Sequence, residues 1–174
     1  MITISSNIGQ VASRLTAKLK EFQGSIKDKV LRTVATTELA LVKVRIHQDG
    51  KNSDDSAIGT YSSAYLKYRQ GKPFNNTSSS KIVLSLTRKL QNEFVVVPTE
   101  KGYGLGWLVN ERENPPKKTN RKSKGRKPPP TNIELANILD EKYNVYKLTK
   151  KELQAITPTA DRAVKEELRR LQLL

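Results

Sequence analysis

The chain has no cysteine, and its 174 residues include one histidine, one methionine and one tryptophan. Without cysteine there is no disulfide framework, no thiolate zinc finger, no iron–sulfur cluster and no thiol catalysis. A single histidine, His47, forbids a metal site built on two imidazoles of one chain. It stands near the end of the first predicted helix and reads as a helix-end or loop contact. No apolar run approaches the ~18 residues of a membrane-spanning helix, so no membrane partner is expected. The opening "MITISSNIGQ" has no basic segment followed by an apolar run, so no secretory signal is expected.

The usual signatures of nucleotide and acyl chemistry are missing too. There is no G-x-x-x-x-G-K-S/T loop and no G-x-S-x-G elbow. "GYGLG" has the spacing G-x-G-x-G, not the dinucleotide fingerprint, and it falls in a predicted strand. Asp54 and Asp55 are adjacent acids in a turn-rich segment and read as turn formers. The expectation is therefore a non-enzyme with no catalytic residue, no cofactor and no metal.

Acid is scarce as well: 17 acidic residues face 32 basic ones, for a net charge of +15 and a pI near 10.0. A surplus of this size points to an acidic partner: nucleic acid, an acidic protein surface or an anionic membrane surface. Seven of the cations crowd into "NPPKKTNRKSKGRKPPPTN", residues 114–132: Lys117, Lys118, Arg121, Lys122, Lys124, Arg126 and Lys127. The rest of the chain keeps +8, so the tract amplifies a bias it does not create. It has no aromatic residue on which bases could stack. It can neutralise phosphates without reading sequence, order on a protein neighbour, or remain a solvated loop.

Periodicity gives the architecture. Residues 7–47 read as helix, with Ile8, Val11, Leu15, Leu19 and Phe22 on one stripe that resumes after Gly24 with Ile26, Val30, Val34, Leu41 and Ile46. Gly24 leaves open a kink or two packed helices. Unbroken, the helix runs roughly 60 Å, long enough to outrun its own domain and pack on a neighbouring subunit. Ser6 or Asn7 supplies an N-cap. Tyr61, Tyr65 and Tyr68 fall on one face of a short helix, as packing residues or as a stacking surface for bases. A brief strand is expected at residues 82–86, then a short helix capped by Thr87 that carries Leu90 and Phe94. Strands at 94–97 and 103–109 form a hairpin, with Tyr103, Leu105, Trp107 and Val109 on one face and Gly102, Gly104 and Gly106 on the other. The glycine face invites a helix laid across it. Thr131 and Thr149 cap C-terminal helices, the second expected to break at Pro158.

The fold expected is α+β in one domain over residues 1–174. A long N-terminal helix (7–47) packs on a small antiparallel sheet within a strand–helix–hairpin core (82–112). A basic proline-flanked loop (113–131) and C-terminal helices (132–174) follow. Tyr103, Leu105, Trp107, Leu90 and Phe94 are the expected core or subunit-interface residues.

The order of these pieces resembles a known family. "RIHQDG" closes the long helix. "IGTYS" with Tyr65 follows, then Leu86, Thr87, Leu90 and Phe94 in the pattern L-T-x-x-L-x-x-x-F, a hairpin, and "VYKLTKKELQAI". Over about residues 10–170 this is similar to the neck and tail-completion proteins of tailed bacteriophages, also called virion morphogenesis or minor tail proteins. The basic insertion stands where many of those proteins have a shorter loop.

The resemblance implies a structural virion protein without an active site. It implies a homo-oligomeric ring, six- or twelvefold, that joins the capsid portal to the tail. The partners implied are portal or adaptor and tail proteins, with packaged DNA in the passage. The location implied is the virion neck, and the host cytoplasm during assembly. The tract Lys117 to Lys127 would make inter-ring or DNA contacts. The rival expectation is a nonspecific nucleic-acid-binding protein of ribosomal or nucleoid type, with the tract as its working part. A toxin-like nuclease stands third, disfavoured by the single histidine.

Overall fold

The computed structural model describes residues 8–72, 80–84, 89–108 and 130–174. The N-cap expected at Ser6 or Asn7, Leu86, Thr87, Val109 and the tract cations Lys117, Lys118, Arg121, Lys122, Lys124, Arg126 and Lys127 lie outside the described residues. The fold is α+β: a long N-terminal helix packed on a two-stranded antiparallel sheet, with helices at the C-terminal end.

Gly24 does not break the first helix. α1 (Ile8–Ser25), a π-helical turn (Ile26–Val30), α2 (Leu31–Val44) and a second π turn (Arg45–Asp49) follow one another directly. Each π turn widens the repeat, so the apolar stripe does not keep one phase from end to end. The residues of this path that reach the main core are Val42 and Ile46, both fully buried, with Leu39 packed beside them. The path stops at Gly50, whose φ of +65° is left-handed; a Cβ there would stand 2.5 Å from the Ile82 carbonyl oxygen, so only glycine fits.

The segment expected as a strand at 82–86 is not one over its described part. Lys81 forms a single bridge to Thr60 and the Ile82 amide donates to the Gly59 carbonyl at 3.0 Å. Leu84, at φ +41°, then turns the chain away from extended geometry. α3 (Ser63–Gln70) is capped by the Ser62 hydroxyl, which accepts from the Tyr65 amide.

α4 (Lys89–Glu93) is one turn carrying Leu90. Phe94, expected both in that helix and at the start of a strand, opens β1 (Phe94–Thr99). Its pairing with Trp107 across the sheet is why: the two rings stack at 4.7 Å. β2 (Gly102–Trp107) returns after a two-residue turn, Glu100 and Lys101, tighter than the loop expected.

The helical path packs on the aromatic face of the hairpin, not on the glycine face. Leu105 and Trp107 pack with Phe94 against Val42, Ile46 and Val145. On the other face, a Cβ at Gly104 or Gly106 would meet Thr99 and Val97 of β1. Only Gly102, at the turn with φ +143°, comes up against the helix: its Cβ would stand 2.6 Å from the Leu31 side chain. Glycine there is a requirement of the turn, and the alternation that follows it left the aromatic side for the core.

α5 (Asn132–Tyr143) and α6 (Lys150–Arg170) begin with full capping boxes, Thr131 with Glu134 and Thr149 with Glu152. α5 ends on Asn144 in the left-handed region, and the Asp140 carboxylate accepts the Val145 and Tyr146 amides at 2.9 Å each. α6 runs straight through Pro158, against the expected break. Pro158 and Gln154, the residue whose carbonyl it leaves unbonded, are both exposed, so water can satisfy that carbonyl.

One buried ion pair ties these parts together. Arg45 Nε donates to Glu152 Oε1 at 2.8 Å, with both side chains under a tenth exposed. Arg45 Nη2 donates to the Val145 and Lys147 carbonyls at 2.9 Å each. The other Glu152 oxygen accepts the Thr149 amide at 2.7 Å. The nearby Glu38 carboxyl is raised by burial and then by the Glu152 charge.

Removing one partner strands the other charge in the interior. Arg45→Met is expected to cost about 3–5 kcal/mol by urea denaturation, and Arg45→Met with Glu152→Leu to recover much of it. A loss below ~1 kcal/mol in the single variant would remove the pair from this role.

Candidate assembly surface

α1 is held to the domain along its second half only. The Ser25 hydroxyl donates to Glu167 Oε2 of α6 and receives a hydrogen bond from Arg170 Nη2 at 3.1 Å. Lys29 Nζ lies 3.4 Å from Glu167 Oε1, and Arg170 Nη1 lies 3.1 Å from Glu21 Oε1. The Ser25 hydroxyl, then Arg170, holds the Glu167 carboxyl at about 2. Lys18 Nζ reaches Gln172 Oε1 at 3.5 Å, near the limit of a hydrogen bond.

Toward its N-terminus this helix is poorly covered by the described residues. Residues 12–17 are exposed on every side. Leu15 and Leu19 are 49% and 48% exposed, one turn apart on the stripe that periodicity had marked. α1 takes about 27 Å at 1.5 Å per residue, and its free part presents an apolar stripe flanked by Arg14, Lys18 and Lys20. Exposed apolar stripes are a common place for a partner to dock.

The residues expected in the core or at a subunit interface lie elsewhere. Leu90 and Phe94 are buried inside the protomer. Trp107 is half-buried, stacked on Phe94 and edge-on to Tyr146 at 4.8 Å. Leu105 packs against the same core, and Tyr103 is half-buried opposite Pro98. Burial and then the Asp140 charge raise the Tyr146 phenol. The tract cations are outside the described residues. The uncovered stripe was legible in the spacing of Leu15 and Leu19; what the sequence could not show is that α6 stops short of it.

His47, Asp54 and Asp55 make contacts within the fold. His47 is buried, with Nδ1 3.3 Å from the Val83 carbonyl oxygen, the place of a donating neutral imidazole. Burial lowers its pKa to about 4. Asp55 pairs with Lys151 and Lys51, which hold its carboxyl at about 2, and Asp54 sits in a turn whose amide donates to the Asn52 side chain. Among the described residues no three His, Asp or Glu side chains gather as metal ligands, and no helix is long and apolar enough to cross a membrane. Tyr61, Tyr65 and Tyr68 form a row with ring centroids 5.2 and 5.9 Å apart, and the Arg69 guanidinium lies 4.3 Å from the Tyr61 ring centroid.

No family model, curated protein or solved structure matches the chain.

Two outcomes follow from this geometry. Leu15→Ser with Leu19→Ser should leave monomer stability within about 0.5 kcal/mol, whereas Phe94→Ala should cost ~3–5 kcal/mol, both read by thermal or urea unfolding. A large loss from the leucine pair would place it in the core. Separately, below pH 6.5 the unfolded chain protonates at His47 while the folded chain resists down to about 4. Stability should therefore fall as pH drops through that window, by up to ~3 kcal/mol. His47→Gln keeps a donor for Val83 and should flatten the slope; an unchanged slope would assign it to other groups.

Proposed function

We propose that the protein is a structural subunit of a bacteriophage neck, a head-to-tail connector or tail-completion ring that joins the capsid portal to the tail around the DNA passage. The observation that carries this reading is the free half of α1, a helix on a small α+β domain with its apolar stripe uncovered. Such a helix needs a neighbour, and a closed ring supplies one at every subunit through a head-to-tail interface. The resemblance of "RIHQDG", "IGTYS", the Leu86–Thr87–Leu90–Phe94 pattern and "VYKLTKKELQAI" to neck and tail-completion proteins points the same way. So does the charge: a +15 subunit suits a channel that passes DNA or a seat on acidic neighbours. In this reading no residue is catalytic, and the tract Lys117 to Lys127 contacts the next ring or the DNA.

Cryo-electron microscopy of particles of the encoding phage, or of the chain mixed with its portal, tests the reading. The expected result is a ring at the neck, sixfold or twelvefold. A chain that is absent from particles, and instead coats duplex DNA with an affinity falling steeply as salt rises, would overturn it in favour of a nonspecific nucleic-acid-binding protein.

A further inference from the structure

We infer that the free half of α1 on one copy docks on the exposed face of α5 on a second copy; this deepens the ring reading and rests on it. Two observations single out α5. Its outward face carries Ile138, 52% exposed, where an isolated domain would be expected to be polar. It is also a locally acidic element in a basic chain: Glu134 and Glu141, both exposed, stand four residues before and three residues after Ile138, on the same side of the helix. The α1 stripe has the opposite pattern. Leu15 and Leu19 are set among Arg14, Lys18 and Lys20.

The charges exclude the symmetric alternatives. Two α1 stripes face to face would bring Arg14 and its neighbours against their own copies, and two α5 faces would oppose their glutamates. Pairing α1 with α5 buries leucine against isoleucine and sets cations beside carboxylates. Like-sign opposition is disfavoured and opposite-sign flanks fix orientation, as at the edges of paired helices. A contact between two different surfaces of the same chain is heterologous, so each copy offers one free α1 and one free α5, and repetition closes a ring. Helix on helix across a boundary of this size needs only the close approach of two short apolar stripes.

The absence of native cysteine makes the test clean. Leu15→Cys and Ile138→Cys are made in separate chains of different mass, mixed and oxidised. The expected product is a mixed disulfide dimer in at least tenfold excess over either self-dimer. Charge reversal supplies a second arm. Arg14→Glu should weaken self-association measured by sedimentation about tenfold, and Glu141→Arg in the same chain should restore it. Both positions are exposed, so neither change threatens folding. A Leu15→Cys self-dimer equal to the mixed product would overturn the inference in favour of an α1–α1 contact. So would self-association that is unchanged by Arg14→Glu alone, or a chain that stays monomeric at its highest soluble concentration. Each of these outcomes leaves the neck reading to be judged on its own by particle images, because a ring seen there with α1 on some other surface sinks only the docking surface.

Discussion

The fold depends on one buried cation. Arg45 sits at the second π turn of the helical path and has its charge taken up by Glu152 at the start of α6 and by the carbonyls of residues 145 and 147. Those partners come from sites about a hundred residues away in sequence, so the pair closes the chain end to end. Its dry surroundings make it costly to disturb and intolerant of a slipped register, because both carboxylate oxygens are committed, one to Arg45 and one to the Thr149 amide. The α6 capping box and the ion pair are therefore one unit: the helix cannot start elsewhere without releasing the arginine. The π turn belongs to the same arrangement, since it is the segment that carries Arg45, Ile46 and His47 inward together.

A second junction repeats the scheme at lower burial. Glu167 on α6 gathers Ser25, Lys29 and Arg170, and Arg170 reaches on to Glu21. The two junctions clamp the helical path to α6 at Arg45 and near Ser25. From Glu21 toward the start of α1 the Lys18–Gln172 contact is marginal, and Leu15 and Leu19 on that part of the helix are about half exposed. The stiffness of the helix then transmits the clamp outward: fixing one end of an α-helix fixes where the other end points, so Leu15 and Leu19 are presented at a defined place and not on a loose arm.

Elements that rest on local chemistry were legible in the sequence. Thr131 and Thr149 cap the helices that their spacing marks. The hairpin follows from its alternation, and the aromatic side of that alternation names Leu105 and Trp107 as residues that pack on the core. What local reading missed depends on contacts distant in sequence. Phe94 has fair propensity for either state and becomes strand because Trp107 is there to stack on. Residues 82–84 have strand composition but find only a short bridge and a turn at Leu84. Pro158 stops a helix when its freed carbonyl is buried, and here it is on the wet side. The Arg45–Glu152 pair leaves no local signal at all, because a buried arginine and an exposed one look alike in sequence. The same limit applied to the site: Tyr103, Leu105, Trp107, Leu90 and Phe94 read equally as core or as subunit interface, because large apolar side chains serve both.

The distribution of acids explains why so basic a chain can still associate with itself. Several carboxylates are committed inward: Glu152 to Arg45, Glu167 to Ser25 and Arg170, Asp55 to its two lysines, Asp140 to backbone amides. Each is held by groups of its own protomer, and the field of the net charge, +15, is what a distant partner meets. At physiological salt that field decays over about 8 Å. Two copies therefore repel at long range, yet at contact they are governed by whichever few charges lie within that distance. Glu141 and Glu134, the second of which also caps α5 through Thr131, are exposed acids on an outward face and the places where the proposed docking would set a +15 chain against another copy of itself. In the proposed ring a polyanion in the middle would relieve the repulsion that remains, so the DNA passage and the subunit contact would favour each other.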